Sequence, residues 1–329
     1  MCFTRLSRHC YTAVVNIALV GYGAIAAKHM EAFGQIPGVV PAWLVGRREE
    51  PTERFAAQWG FQQWTLSLDK ALEDPGVDAV VITSPNGLHA EQTERSLRAG
   101  KHVLCEIPLA LSLQDAERVT RISRDENRRL MVAHSMRFFP AIREVQRRVQ
   151  SGALHIYHLA GEFTMVRRKN VTATGSVRSW TDNLLWHHGA HMVDTILWTT
   201  GNDAADVFCR FGPEHPTQGI MDLSLSMATP DGQIATVAQS YNSLEVRWRL
   251  TFFAEEATLD FDMGELRDSD GTIIVTQHSI VDLRDQNREF VEAVREGRDP
   301  AIAGEDVLPA MRVLHQAQAC ADTLRSKPE

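Results

Sequence analysis

The chain of 329 residues lacks the features that mark membrane, secreted and nucleic-acid-binding proteins. No apolar run reaches the ~20 residues that a membrane-spanning helix needs. The five cysteines are odd in number and scattered, and no pair has metal-ligand spacing, so reduced thiols in the cytoplasm are expected. Lysine and arginine number 34 against 42 acidic residues, and the resulting net charge of −8 argues against a nucleic-acid partner.

Residues 1–13 have two arginines and no acidic residue, but they lack the apolar core of a signal peptide. We interpret them as an extension outside the fold. The composition, 44% hydrophobic and 23% charged, is that of an ordinary globular protein, and the length suggests two domains.

Up to about residue 133, short apolar runs alternate with amphipathic helical runs. The predicted strands are Val14–Val20, Val39–Val45, Ala79–Thr83, His102–Cys105 and Leu130–Ala133. The predicted helices are Ala24–Phe33, a helix ending at Trp59, His89–Ala99 and Leu113–Glu126. Nearly continuous apolar strands between helices indicate a parallel sheet covered on both faces, so residues 14–135 are predicted to form a doubly wound Rossmann domain.

From about Ile220 the pattern changes to alternation of apolar and polar residues. The predicted strands are Leu223–Met227, Gln233–Tyr241, Val246–Phe253, Thr258–Phe261 and Thr272–Thr276, and the predicted tail helices are Asp285–Arg295 and Glu305–Arg325. This pattern predicts an α+β domain over residues 136–329 with a large, mostly antiparallel open sheet. One face of that sheet is expected to cover a core, and the other to meet helices or a second subunit.

The first strand leads into a G-x-G-x-x-A motif, formed by Gly21, Gly23 and Ala26. In such motifs the first glycine permits a tight turn, the second lets the backbone approach a pyrophosphate, and the helix N-terminus faces the phosphates. The motif alone also fits an ordinary glycine turn. The strand before it and the helix after it favour a dinucleotide site.

The end of the second strand lacks the acidic residue that an NAD site usually places about 20 residues after the glycines. Arg47 and Arg48 stand there instead, and the first carboxylate is Glu49. Guanidinium groups suit a 2′-phosphate, so we predict NADP as the preferred cofactor, with NAD possible as a second one. The alternative is a pair of solvated surface arginines.

The segment from Trp186 to Asp194 contains His187, His188 and His191 within a run that is otherwise typical of an apolar helix. On a regular helix His187 and His191 are i, i+4 neighbours, and Asp194 follows at i+3, so all three project from one face. Imidazoles on one face suit proton transfer or metal binding. Zinc is the less favoured alternative, because the glutamate of the H-E-x-x-H pattern is missing.

Two further segments carry a resemblance, Thr83–Asn86 followed by His89, and Gly100–Pro108. With the glycine motif and Gly189-x-His191-x-x-Asp194, they resemble the Gfo/Idh/MocA oxidoreductase family. The resemblance implies a Rossmann domain joined to a second domain whose open sheet often forms the subunit interface, hence a homodimer or higher oligomer. It also implies the following cofactor contacts: Gly21, Gly23, Ala24, Ile25, Arg47, Arg48, Ser84, Pro85, Asn86, His89, Glu106 and Ile107.

The chain departs from most of the family at two positions. Ile107 lies between Glu106 and Pro108 where relatives have a catalytic lysine, and His187 replaces an aspartate. Both departures disfavour the polyol mechanism that uses the lysine.

One branch of the family shares these departures, together with the motifs at Glu106–Ala110, Arg167–Asn170 and Arg178–His191. The resemblance implies NADP-dependent oxidation of the cyclic hemiacetal of a dicarboxylic semialdehyde in the 4,5-cleavage of protocatechuate. It implies His191 as the base, with His187 and His188 assisting, whereas Asp194 is expected to be structural. The predicted substrate contacts are Arg137, Arg167, Arg168, Lys169, Arg178 and Trp186. A sugar or polyol dehydrogenase and an NADP-binding sensor without turnover remain as alternatives.

Overall fold

The computed structural model describes residues 13–167, 169, 183–201, 203–204, 206–216, 218–276, 279 and 282–326. Of the predicted N-terminal extension, only its last residue, Ala13, is among them. Within this part of the chain, no helix combines the length and the apolar character needed to cross a membrane.

The first half of the chain forms a six-stranded, all-parallel sheet in the order β3-β2-β1-β4-β5-β6. Its strands are β1 (Val15–Val20), β2 (Val39–Val45), β3 (Gln63–Thr65), β4 (Ala79–Ile82), β5 (His102–Cys105) and β6 (Leu130–Val132). Four residues of β4 in a row are fully buried, as expected of a strand covered on both faces. The predicted parallel sheet is therefore confirmed.

Five helices connect these strands: α1 (Ala24–Phe33), α2 (Glu49–Trp59), α3 (Leu68–Leu72), α4 (His89–Arg98) and α5 (Leu113–Asp125). The predicted bounds of α1, β2 and β5 are those of the structure, and the other predicted elements of this half agree within one residue at each end. The sequence analysis missed β3 and α3, because three and five residues are too short to show a period.

The second half forms an eight-stranded mixed sheet in the order β16-β15-β14-β13-β7-β12-β11-β8. Its strands are β7 (Ile156–Val166), β8 (Asp206–Phe211), β11 (Asp222–Ala228), β12 (Ile234–Ser240), β13 (Asn242–Ala254), β14 (Thr258–Asp262), β15 (Glu265–Asp268) and β16 (Ile273–Thr276), with a separate short hairpin of β9 (Glu214–His215) and β10 (Gly219–Ile220). All its pairings are antiparallel except that of β7 with β12. The large, mostly antiparallel sheet is thus confirmed, although β7, β8 and β15 were not predicted.

Among the described residues, the second half also contains the helices α6 (Pro140–Gln150), α7 (Ala190–Thr200), α8 (Arg284–Glu296) and α9 (Leu308–Ser326). Helix α9 packs against α7 and β8, and also against α5 of the first half. Helix α8 packs against α1 in the same way. The C-terminal helices therefore join the two sheets, and the division of the chain after residue 135 stays a prediction.

Candidate active site

The glycine loop lies at the carboxyl end of β1, where the strand order reverses between β1 and β4. Gly21 has a φ of +109°, and a Cβ there would come within 2.8 Å of the carbonyl oxygen of Thr83. A Cβ on Gly23 would meet nothing within 4 Å. Packing within the protein thus requires the first glycine. The second glycine borders open space, and α1 begins beside that space with the N–H groups of Ala24 and Ile25.

Arg47 and Arg48 follow β2 beside this loop, and both are exposed. A hydrogen bond to Tyr22 of the glycine loop raises the pKa of Arg48. The first acidic residue after the strand, Glu49, is already the first residue of α2. The crevice at this end is therefore cationic.

The loop after β4 is held by His89, which is buried. Its Nδ1 lies 2.8 Å from the carbonyl oxygen of Pro108, and its Nε2 lies 2.8 Å from that of Ser84. Burial lowers the pKa of His89, although both carbonyl oxygens act in the opposite direction. His89 thus braces two loops of the crevice through their backbones. Next to the first of them, after Pro85, Asn86 Nδ2 is buried without a hydrogen-bond partner.

The loop after β5 contains Ile107, at the position where the family resemblance implies a lysine. Ile107 is buried there, and its N–H donates to Glu106 Oε2 at 3.3 Å. The other carboxylate oxygen of Glu106 lies 2.9 Å from His29 Nε2, and His29 Nδ1 lies 3.0 Å from Asn287 Oδ1 on α8. The position of the family's lysine therefore offers no cation, and Glu106 is fixed by α1 and α8.

This end of the sheet fits a nicotinamide dinucleotide. The open space at Gly23, the uncapped start of α1 and the unpartnered Asn86 amide are the features that a bound dinucleotide would complete. When bound, the nicotinamide would supply a hydride acceptor. The assignment of individual residues to the cofactor stays a prediction.

The histidine segment begins with a π-helical turn, Leu185–Gly189, and only then continues as α7. The N–H of Gly189 donates to the carbonyl oxygen of Leu184, five residues earlier. The expected regular helix is therefore wrong over this turn, and with it the simple i, i+4 relation of His187 to His191. Such turns occur often at functional sites, because the extra residue changes where the side chains point.

His188 is held in a stack of rings. Its imidazole lies parallel to Phe163 with a centroid separation of 3.9 Å, and His187 stacks on it at 4.3 Å. His188 Nδ1 lies 2.7 Å from the hydroxyl oxygen of Tyr241, which follows β12. The stack and this hydrogen bond fix the orientation of the His188 ring.

His191 lies beside this stack against Trp248, at a centroid separation of 5.4 Å, and edge-on to His134 at 5.8 Å. Its Nδ1 is sealed from solvent and has no hydrogen-bond partner. Burial lowers the pKa of His191 well below its usual value, and the neighbouring His134 and His187 lower it further. His191 is therefore a neutral imidazole near pH 7, able to accept a proton.

Arg137 and Asp194 form a buried, bidentate ion pair behind His191. The guanidinium donates to the two carboxylate oxygens at 2.9 and 2.6 Å, and to the carbonyl oxygen of Asp306 at 2.9 Å. Asp194 Oδ2 also lies 3.3 Å from His134 Nδ1, without hydrogen-bond alignment. The expected structural role of Asp194 agrees with this geometry. Arg137 was predicted as a substrate contact; Nε and Nη2 of its buried guanidinium instead bind Asp194 and Asp306, and the substrate contact stays a prediction.

Trp186 also differs from its predicted role. Its side chain is buried, and its indole N–H donates to Gln318 on α9 at 3.1 Å. It anchors the π turn to the C-terminal helix.

Arg167 follows β7 and meets Tyr241. The Arg167 guanidinium lies 5.1 Å from the centre of the tyrosine ring, and the backbone N–H of Arg167 donates to the Tyr241 carbonyl oxygen at 2.8 Å. Lys169 is exposed. Two other predicted substrate contacts, Arg168 and Arg178, lie outside the described residues.

The residues at the site that were not predicted include Tyr22, His134, Phe163, Tyr241 and Trp248. Tyr22 stands inside the glycine motif, and His134 comes two residues after β6, so both occupy positions where a strand end signals function. Phe163 and Tyr241 carry no such signal, because only the pairing of β7 with β12 and β13 brings them to the histidines.

Comparison with known proteins agrees with this geometry. Residues 15–134 match the family described as an oxidoreductase family with an NAD-binding Rossmann fold, and residues 140–273 match the bacterial oxidoreductase C-terminal family. The chain is 35% identical over 313 residues to the 4-carboxy-2-hydroxymuconate-6-semialdehyde dehydrogenase of Sphingobium sp. strain SYK-6, covering 92% of this chain and 98% of that one. The chain therefore belongs to the Gfo/Idh/MocA family, and is an NAD(P)-dependent dehydrogenase acting on CH–OH groups.

More distant relatives act on sugars, by their names. The levoglucosan dehydrogenase of Pseudarthrobacter phenanthrenivorans is 30% identical over 148 residues, which are 43% of this chain and 38% of that one. A solved structure of levoglucosan dehydrogenase with NADH and L-sorbose superposes with a TM-score of 0.85 at 18% identity, covering 94% of this chain and 97% of the other. At that identity the likeness shows the fold alone.

Proposed function

We propose that this enzyme oxidises the cyclic hemiacetal of 4-carboxy-2-hydroxymuconate-6-semialdehyde to 2-pyrone-4,6-dicarboxylate, with NADP as the oxidant, in the cytoplasmic 4,5-cleavage pathway of protocatechuate. The identity to the Sphingobium enzyme over nearly the whole of both chains supports this reaction. The observation that carries it is the site itself, in which a buried Ile107 and a cluster of histidines stand where the family resemblance implies a lysine and an aspartate.

His191 is the base in this proposal. Its Nδ1 is sealed, so Nε2 is the nitrogen that a substrate hydroxyl can approach. Nε2 would take the proton of the carbinol hydroxyl, and a bound nicotinamide would supply the hydride acceptor that the oxidation of the ring carbon to the pyrone carbonyl requires. The low pKa of His191 keeps it neutral and ready to accept that proton near pH 7. His187 and His188 line the approach beside it.

The two carboxylates of the substrate need cations. We assign Arg167 and Lys169 to them, together with the predicted contacts Arg168 and Arg178. A planar guanidinium can bind a carboxylate through two parallel hydrogen bonds. Arg167 supports the assignment best, because Tyr241 holds it within reach of the histidine stack.

Arg47 and Arg48 are assigned to the 2′-phosphate of NADP. They are exposed beside the glycine loop, and Arg48 is hydrogen-bonded to Tyr22 of that loop. Two cations without an acid favour a phosphate over a ribose hydroxyl, with NAD as a weaker substitute.

The outer face of the eight-stranded sheet is assigned to contact between subunits, in a homodimer or higher oligomer. Phe208, Ile234 and Phe253 are 51, 46 and 40% exposed on this sheet. Apolar side chains exposed on a sheet face are typical of an interaction surface. Light scattering after size exclusion, with a Phe253→Arg variant as comparison, measures the subunit number.

One assay tests the reaction. The purified chain is mixed with NADP and with protocatechuate that a 4,5-dioxygenase has just cleaved, and the absorbance of reduced cofactor is followed. Reduction is expected, with formation of the pyrone dicarboxylate. Turnover of inositol or levoglucosan in its place would overturn the proposal in favour of a polyol dehydrogenase, and no turnover of either class would favour a sensor.

A further inference from the structure

We propose that Tyr241 is the positioning residue of this site, and that it couples the cation for a substrate carboxylate to the histidine stack. Its hydroxyl fixes the tautomer of His188, and its ring seats Arg167. The statement about Arg167 rests on the proposed function, whereas the statement about His188 concerns the protein alone.

The position of Tyr241 explains how one side chain reaches both partners. It lies between β12 and β13, and its backbone N–H donates to the carbonyl oxygen of Met221 at 2.7 Å. Its own carbonyl oxygen accepts from the N–H of Arg167 at the end of β7. The side chain is 2% exposed. Backbone hydrogen bonds therefore hold Tyr241 at its N–H and at its carbonyl oxygen, and its hydroxyl is a buried group of the site.

The direction of the hydrogen bonds follows from the chemistry of the partners. Arg167 Nη1 lies 3.5 Å from the Tyr241 hydroxyl oxygen, and a guanidinium can only donate. The hydroxyl has one proton, and accepting from a cation makes it a stronger donor, so we assign that proton to His188 Nδ1 at 2.7 Å. A neutral His188 must in consequence carry its own proton on Nε2.

This tautomer separates the tasks of the histidines. A neutral ring protonated at Nε2 donates from that atom and cannot act as a base there. His188 is thus a hydrogen-bond donor, and the base must be another imidazole, in agreement with the choice of His191. Because Phe163 and His187 enclose the ring on both faces, the donor direction is fixed as well.

The same hydroxyl links two events in the reaction. Binding of a carboxylate by Arg167 changes the charge next to the Tyr241 hydroxyl, and that hydroxyl holds the ring on which His187 stacks. A substrate that lacks the carboxylate would not change the charge next to the Tyr241 hydroxyl. Tyr241 therefore favours carboxylated substrates over neutral polyols.

The first test uses the full chain without substrate. Tyr241→Phe removes the hydroxyl and keeps the ring, and Tyr157→Phe is the matched control, because the Tyr157 hydroxyl donates to Glu255 at the surface, away from the histidines. Imidazole nitrogen NMR spectra, assigned with a His188→Gln variant, should show His188 protonated at Nε2 in the wild type and in Tyr157→Phe. In Tyr241→Phe the proton should distribute over both nitrogens. An unchanged His188 spectrum in Tyr241→Phe would overturn the proposal.

The second test addresses coupling to Arg167. Binding of 2-pyrone-4,6-dicarboxylate to the NADPH-loaded protein should weaken about tenfold in Tyr241→Phe, the effect of one hydrogen bond to a charged group, with NADPH affinity unchanged. Tyr157→Phe should bind as the wild type does. If the wild type fails to bind the dicarboxylate, the proposed function fails, and the NMR result alone decides the role of Tyr241. Tight binding by the wild type and by Tyr241→Phe alike would refute the coupling.

Discussion

The two halves of the site are built in different ways. The cofactor half consists of loops at the carboxyl ends of parallel strands, and it offers mainly backbone groups, such as the open edge at Gly23 and the start of α1. The histidine half consists of side chains from distant segments, held by stacking and by a buried ion pair. Backbone sites follow from local sequence, whereas side-chain sites depend on tertiary packing.

This difference decides what each half tolerates. A backbone donor survives most substitutions, so the cofactor half depends on shape and on a few surface charges. An imidazole with a lowered pKa depends on every group around it, because burial and neighbouring charges set that pKa. We therefore expect single substitutions in the histidine half to have the larger effects.

The largest effect is expected at His191. His191→Ala removes the base and should lower kcat by about 10²–10⁴-fold, while the affinity for NADP stays unchanged. Steady-state kinetics and fluorescence titration with NADPH measure the two quantities. His315→Ala, on the exposed side of α9, is the control for loss of a histidine. Near-normal turnover in His191→Ala would show that another group is the base.

The next effect concerns the ion pair behind the histidines. Arg137→Ala leaves the Asp194 carboxylate buried without its partner, which should lower the free energy of unfolding by about 3–5 kcal/mol. The exposed pair of Arg247 with Glu245 provides the control, and Arg247→Ala should cost below ~1 kcal/mol. Urea unfolding measures both. Equal losses would mean that burial does not distinguish the two pairs.

The sequence predicted the fold where the chain repeats a local pattern. Continuous apolar runs such as Val39–Val45 predicted the parallel strands, and alternation predicted most of the second sheet. β7 was not predicted, because it pairs on both sides within that sheet and its residues pack against neighbours that are distant in the sequence. The π turn escaped as well, since its sequence does not differ from that of a helix.

The candidate site was predictable to a different degree in each half. The glycine motif and Arg47 with Arg48 lie where the strand ends indicated. The histidines were found as a cluster, but their partners were not, because Phe163 and Tyr241 belong to other strands and only the folded sheet joins them. The pairing of Arg137 with Asp194 was not predicted, because the two residues lie 57 positions apart in the sequence.

Arg47 and Arg48 allow the cofactor half to be tested by itself. Replacing either by Ala should raise the KM for NADP about tenfold, because a hydrogen bond to a charged phosphate is lost, and should change the KM for NAD much less. Arg54→Ala removes a nearby exposed arginine of α2 that pairs with Glu50, and serves as the control. Initial rates measured over a range of NADP and of NAD concentrations give the two KM values. Equal changes for NADP and NAD would contradict the assignment to the 2′-phosphate.

The last effect is a dependence of stability on pH. Burial lowers the pKa of His134 and of His191, and lowers that of His102 to about 4. Below pH 6.5 the unfolded chain binds protons at these rings while the folded chain does not, so the free energy of unfolding should fall as the pH falls from about 6.5 toward 4.

The urea midpoint measures this slope at each pH, and His102→Gln should flatten it, whereas the same change at the exposed His315 should leave it unaltered. His102 belongs to β5 in the cofactor half, and His191 to the histidine half. If His102→Gln leaves the slope unchanged and His191→Gln removes it, the pH dependence of the stability therefore arises in the histidine half alone.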